Sequence, residues 1–367
     1  MTNEFKVKLE RVRNLMIKED LDGVLLATVQ NYFWISCGKN GFVDKSSESA
    51  TTKVLITKDR QYAICNSSEM YRTFEEELTD GSFELIGFQW HESEEAALQP
   101  YIKGKKIGCD KKLYGFRDIT EEIQKLRYSL TDEEVERYRE IGPECAGILE
   151  EAVRRIEPGE TEFQAGARAA QLLMAKGYQV PVLLVGSDER LLKYRHPIPT
   201  AKEIHKCAMI AICGQKYGLT VSVSRIVSFV PLSEEIRKRY EAVVKIDATY
   251  ILNTKAGIPA NMILKKGYEV YASEGYEKDF HLHHQGGPLG YPTRDFCTNL
   301  QNDTPVAENQ AYSWNPTIAG VKAEDTYIIH GVTQEIISYT GTWVYRDVTV
   351  EAGTIRRPDI LVKGEYV

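Results

Sequence analysis

The chain has 367 residues and a net charge of −7, with 43% hydrophobic and 27% charged residues. That length exceeds one ordinary core and predicts two domains. The acidic balance argues against a nucleic-acid-binding surface as the main function, and no apolar run reaches the length of a membrane span. Residues 4–20 read as an amphipathic helix, because Phe5, Leu9, Val12, Leu15 and Met16 recur at helical spacing. The same charged stretch lacks the apolar core of a signal peptide. Val24 to Thr28 reads as a buried strand. Lys53–Thr57 and Gln61–Cys65 read as a strand pair, and Lys106–Asp110 as a further strand. Seven scattered cysteines carry no CxxC spacing, which fits reduced thiols and a cytoplasmic location.

A boundary falls near Leu126–Leu130, so the expected domains are 1–128 and 129–367. Thr131 and Glu134 read as a capping box that opens a long amphipathic helix, stopped by Pro158-Gly159. Thr161 and Gln164 read as a second box, opening a helix that ends near Gly177. Val180–Gly186 is strand-like, and a loop then carries His196. Ala208–Gly214 and Thr220–Val227 read as another strand pair. Ser233 is placed to cap a helix, another helix is expected near 259–275, and a strand near 311–315. Helices alternating with antiparallel-looking strands predict an α+β fold.

The stretch from Phe280 to Tyr291 places His281, His283 and His284 just before Gly286-Gly287. Imidazoles beside flexible backbone suit proton transfer or metal ligation. In an extended segment His281 and His283 share one face and His284 points away. All three can then serve one site only if the chain bends. The plain alternative is a polar strand end followed by a turn.

The order of these segments resembles the creatinase/prolidase family, whose catalytic domain is called the pita-bread fold. Asn31 to Gly38 resembles a turn of the family's N-terminal module. Pro158-Gly159-Glu160-Thr161-Glu162 resembles its Pro-Gly-x-Thr-Glu, and Gly320-Val321-Lys322 with Glu324-Asp325-Thr326 resembles its Gly-Val-Arg-x-Glu-Asp-Thr. The likeness covers nearly the whole chain. It implies a two-domain α+β protein: a creatinase/prolidase N-terminal-like domain, then a pita-bread domain. It also implies a homodimer.

Peptidases of that family hold two metal ions with two Asp, one His and two Glu. In the register of the resemblance those positions fall on Ala211, Ser222, Gly287, Asn315 and Glu324. Four of the five are poor ligands or none, so no metal and no other cofactor is expected at that place. The resemblance instead points to His196 and His283 as a catalytic acid–base pair, with Glu324 orienting or balancing one imidazole. Arg225, His284, Tyr291, Arg294, Asp295 and Asn315 are candidate substrate contacts, and Arg225 is a candidate clamp for Glu324.

The expected function is accordingly a metal-independent, creatinase-like hydrolase or lyase. It would act on a small polar amide or C–N substrate, with a small molecule or short peptide as partner and neither nucleic acid nor membrane. One alternative is an Xaa-Pro dipeptidase or aminopeptidase with an atypical metal site, for which His281 and His283 are the candidate ligands. Another is a catalytically silent pita-bread binding module.

Overall fold

The computed structural model describes residues 2–363. Two units emerge, one of residues up to Glu133 with Tyr217–Leu219, the other of Glu134–Lys216 and Thr220 onward.

The first unit is built on a six-stranded sheet. Its order runs Glu84–Phe88, Gln61–Asn66, Ser49–Thr57, Gly23–Thr28, Ile107–Cys109, Arg117–Asp118. The central strand Gly23–Thr28 is buried along its whole length. This explains why it reads as a continuous apolar run rather than an alternation. Asp110 secures the end of that strand by accepting from the Ala27 and Thr28 amides at 2.7 and 3.1 Å. The helix Asn3–Lys18 buries the apolar stripe read from its sequence.

The second unit carries two four-stranded sheets. The first orders Leu361–Val362, Leu219–Ser228, Cys207–Lys216 and Gln179–Ser187; the second orders Gly286–Pro288, Ala311–Trp314, Tyr327–His330 and Thr333–Ile336. The helices Asp132–Arg154, Glu162–Met174, Glu234–Asn253 and Ala260–Ser273 pack around them. Thr161 and Gln164 form the expected capping box, and Ser233 caps its helix by accepting from the Ile236 amide. An apolar cluster with stacked Tyr250 and Trp314 forms the core.

The strand Leu219–Ser228 is tied to the segment after Lys322. The Ser222 amide donates to Thr326 Oγ1, whose hydroxyl donates back to the Ser222 carbonyl. Below this junction lies a buried ion network. Asp325 accepts from Arg225 at 3.2 Å, from Arg357 at 2.8 Å and from the Ser338 hydroxyl at 2.7 Å. Arg225 also reaches Glu150, and Arg357 reaches Asp247. Each charge therefore has a partner of opposite sign, the condition for holding charges in a core. Burial pushes the Asp247 carboxyl up to about 6. The network immobilises Asp325 and, through it, the neighbouring Glu324.

Candidate functional site

The histidine segment is not a strand. A short helix Glu277–Phe280 ends at His281, and the chain bends through residues 281–285 before the strand Gly286–Pro288 begins. The period-two expectation therefore fails. His283 and His284 stack with ring centroids 4.4 Å apart, and both face His196, whose centroid lies 4.6 and 5.7 Å from theirs. His196 Nε2 and His283 Nε2 are 2.9 Å apart, so one donates to the other. His281 leaves the group and stands against Tyr268 and Phe280. Nitrogens of His196, His283 and His284 all lie within 4.8 Å of one another. His283 is buried at 8% exposure, and His284 rather than His283 borders the adjoining cavity.

That cavity measures about 360 Å³, a size suited to a small ligand. Its lining combines the apolar Val182, Leu184, Ile198 and Ile212 with Arg294, Lys322, Glu324, Asn315, His196 and His284. Arg294 bridges two of the five inferred ligand positions, donating to Ser222 Oγ at 3.0 Å and to Glu324 Oε1 at 3.1 Å. The Lys322 ammonium lies 3.8 Å from Glu324 Oε2.

The family's metal pair does not fit these residues. Ala211 and Gly287 offer no donor, and Ser222 and Asn315 are weak neutral ones. A guanidinium and an ammonium share the one remaining carboxylate. Gly287 is not there to admit substrate either: with φ of +151°, a Cβ at this position would stand 2.5 Å from the Phe296 carbonyl oxygen. Gly286 likewise makes room for the Ser313 carbonyl. Both glycines serve close approach of backbone to backbone.

Burial disfavours the charged form of all three imidazoles. Burial, then the nearby Lys322 charge, lowers His196 and pushes His283 well below the usual histidine range. Burial, then Arg294, lowers His284 to about 4. Lys322 is itself lowered by burial, against the pull of Glu324. The stability consequence has a definite sign. Unfolded imidazoles take up protons below about pH 6.5, and the folded ones do so less readily. The unfolded state then binds more protons, so stability falls as pH drops from 7 to 5. His283, the most strongly lowered of the three, contributes most to this fall. Urea midpoints of metal-free protein at pH 7 and 5 check this, and the drop should be smaller in His283→Gln.

Other expected contacts lie elsewhere. Arg225, at 2% exposure, belongs to the buried network and does not clamp Glu324; Arg294 does, with the Lys322 ammonium 3.8 Å away. The Tyr291 ring is buried with its hydroxyl on Glu134, away from the cavity. Asp295 is not part of the cavity wall and faces Tyr138 instead. Asn315 does border the cavity, and its buried Oδ1 has no partner among the described residues. Lys322 was not foreseen as a site residue. Its signal was its place two residues before Glu324, which puts both on one face of an extended segment. Cys213, 3.1 Å from Ser222 Oγ, was also missed.

Comparison with known proteins agrees with this architecture. Residues 136–331 match the metallopeptidase family M24, and residues 8–141 match the creatinase/prolidase N-terminal domain. The chain is 21% identical to an Xaa-Pro dipeptidase from Pyrococcus horikoshii over 335 residues, covering 88% of this chain and 94% of that one. It superimposes on an Xaa-Pro dipeptidase from Bacillus anthracis with a TM-score of 0.78 at 17% identity, covering 98% and 99% of the two chains. The N-terminal domain of the FACT complex subunit SPT16 from Cicer arietinum shares the fold, with a TM-score of 0.70 at 11% identity and coverage of 93% and 97%. These likenesses correct the expectation of a metal-independent, creatinase-like hydrolase. Relatives matched over nearly the full chain include Xaa-Pro dipeptidases, which favours the peptidase alternative. Among the described residues no helix is long and apolar enough to cross a membrane. With both of its domains matched in order and the pita-bread fold in place, the chain belongs to the metallopeptidase family M24.

Proposed function

We propose that the chain is a hydrolase of short peptides, of the Xaa-Pro dipeptidase kind, whose metal site has moved from the family's position to His196, His283 and His284. The observation that carries this reading is the grouping of three imidazoles within 4.8 Å at the edge of the cavity. Neutral imidazole is the form that ligates, and three histidines are a known donor set for a catalytic zinc with an open position. A metal there would supply a bound water of lowered pKa. His196 and His284, at the cavity edge, face the substrate, and Glu324 holds Arg294 and Lys322 in place. The apolar wall of Val182, Leu184 and Ile198 suits a prolyl ring.

The absence of strong donors at four of the five family positions favours a second reading, a peptide-binding module without turnover. One experiment separates the two. Protein stripped with a chelator is reloaded with Zn²⁺, Mn²⁺ or Co²⁺ and given a panel of Xaa-Pro and other dipeptides. The expected result is metal-dependent release of amino acid, lost in His284→Ala. Dipeptide binding without release under any metal would replace the peptidase reading with the binding module.

A further inference from the structure

Two basic side chains of the cavity, Arg294 and Lys322, face a single carboxylate, Glu324. A buried charge without a partner costs several kcal/mol, so a second negative group is missing from the site. Lys322 makes the gap concrete. It is 4% exposed, yet its nearest carboxylate oxygen stands 3.8 Å away, beyond hydrogen-bond reach. Asn315, also 4% exposed, presents an Oδ1 with no partner among the described residues. The wall therefore lacks both an anion for the ammonium and a donor for the amide.

We propose that Arg294 and Lys322 form an anion subsite in place of the family's metal ions, and that its ligand is a small carboxylate carrying an N–H for Asn315. This inference rests on the cavity being the substrate site, as proposed above, and it names the substrate class: an N-acylated amino acid or a dipeptide whose carboxylate lies between Arg294 and Lys322. A guanidinium recognises a planar carboxylate through directed N–H donors, while the ammonium adds a compact charge. Ser222, one of the altered ligand positions, holds the guanidinium by accepting from Arg294 Nη1. Thus a position that has lost an acidic ligand has gained a role in orienting a cation. With the acidic ligands lost, the basic Arg294 and Lys322 are left with one carboxylate between them, which turns a site that held cations into a site that holds an anion.

The test needs no turnover and no metal. Chelator-treated protein is titrated calorimetrically with N-acetylglycine, with N-acetylglycinamide and with inorganic phosphate. Saturable binding of N-acetylglycine is expected, at least tenfold tighter than that of the amide or of phosphate. Arg294→Gln and Lys322→Met should each weaken it at least tenfold. Arg294 is the safer variant for folding, because its side chain is 12% exposed. Asn315→Leu should weaken N-acetylglycine more than acetate. Equal binding of acid and amide, or wild-type affinity in Arg294→Gln, would overturn the proposal, and tighter binding of phosphate would reassign the subsite to phosphate. Carboxylate binding without metal-dependent peptide release would leave the subsite standing and remove only the peptidase reading.

Discussion

Asp325→Asn is expected to destabilise the protein by about 3–5 kcal/mol, the range for breaking a buried ion pair by removing one partner. Asp325 is 2% exposed and accepts from two arginines that are themselves almost fully buried. The substitution keeps the shape and removes the charge. Arg225 then depends on Glu150 alone, and Arg357 on Asp247, whose carboxyl burial already raises to about 6. Urea unfolding measures the loss. Asp347→Asn is the control, because its pair with Arg356 is exposed on both sides, and exposed pairs contribute little. An Asp325→Asn midpoint equal to that of the control would mean that the network carries no net stability. Since Asp325 adjoins Glu324, the same variant should also loosen the carboxylate that holds Arg294 and Lys322.

The second large effect is expected in catalysis. His283→Ala should lower metal-dependent kcat for the dipeptide by at least about a hundredfold, because it removes one of the three proposed ligands and even outer-shell partners of a metal site are worth up to about that much. His283 touches both other imidazoles, so its loss dismantles the cluster from the centre. It does not border the cavity, so KM should change less than kcat. His281→Ala is the matched control, because that ring stands outside the cluster against Tyr268. Turnover by His283→Ala at the wild-type rate, with the fold intact by circular dichroism, would exclude the cluster from the chemistry.

Much of the fold was legible because it rests on local rules. Apolar spacing marked the helix Asn3–Lys18, Thr161 and Gln164 marked a helix start, and Ser233 marked another. Those signals depend on neighbours within a few residues, where periodicity and capping operate. Motif order then identified the family, and with it the five ligand positions, four of which lack a strong donor. His196, His283 and Asn315 were also named from that register, and the structure gathers all three at or beside one cavity.

What failed were the assignments that depended on direction or on distant partners. Period-two geometry turned His284 outward, but the segment bends after Phe280 and brings it in. Arg225 looked like the partner of Glu324 because any guanidinium can clamp a carboxylate. Which one does so was decided by packing: Arg225 is drawn to Glu150 and Asp325, leaving Arg294 and Lys322 for Glu324. By itself the sequence determined the two domains, the family and the loss of acidic ligands, since these are properties of residue identity and order. Only the tertiary structure decided that three imidazoles converge and that two cations stand around the remaining carboxylate, because such partnerships join segments up to a hundred residues apart and follow from side-chain direction and burial.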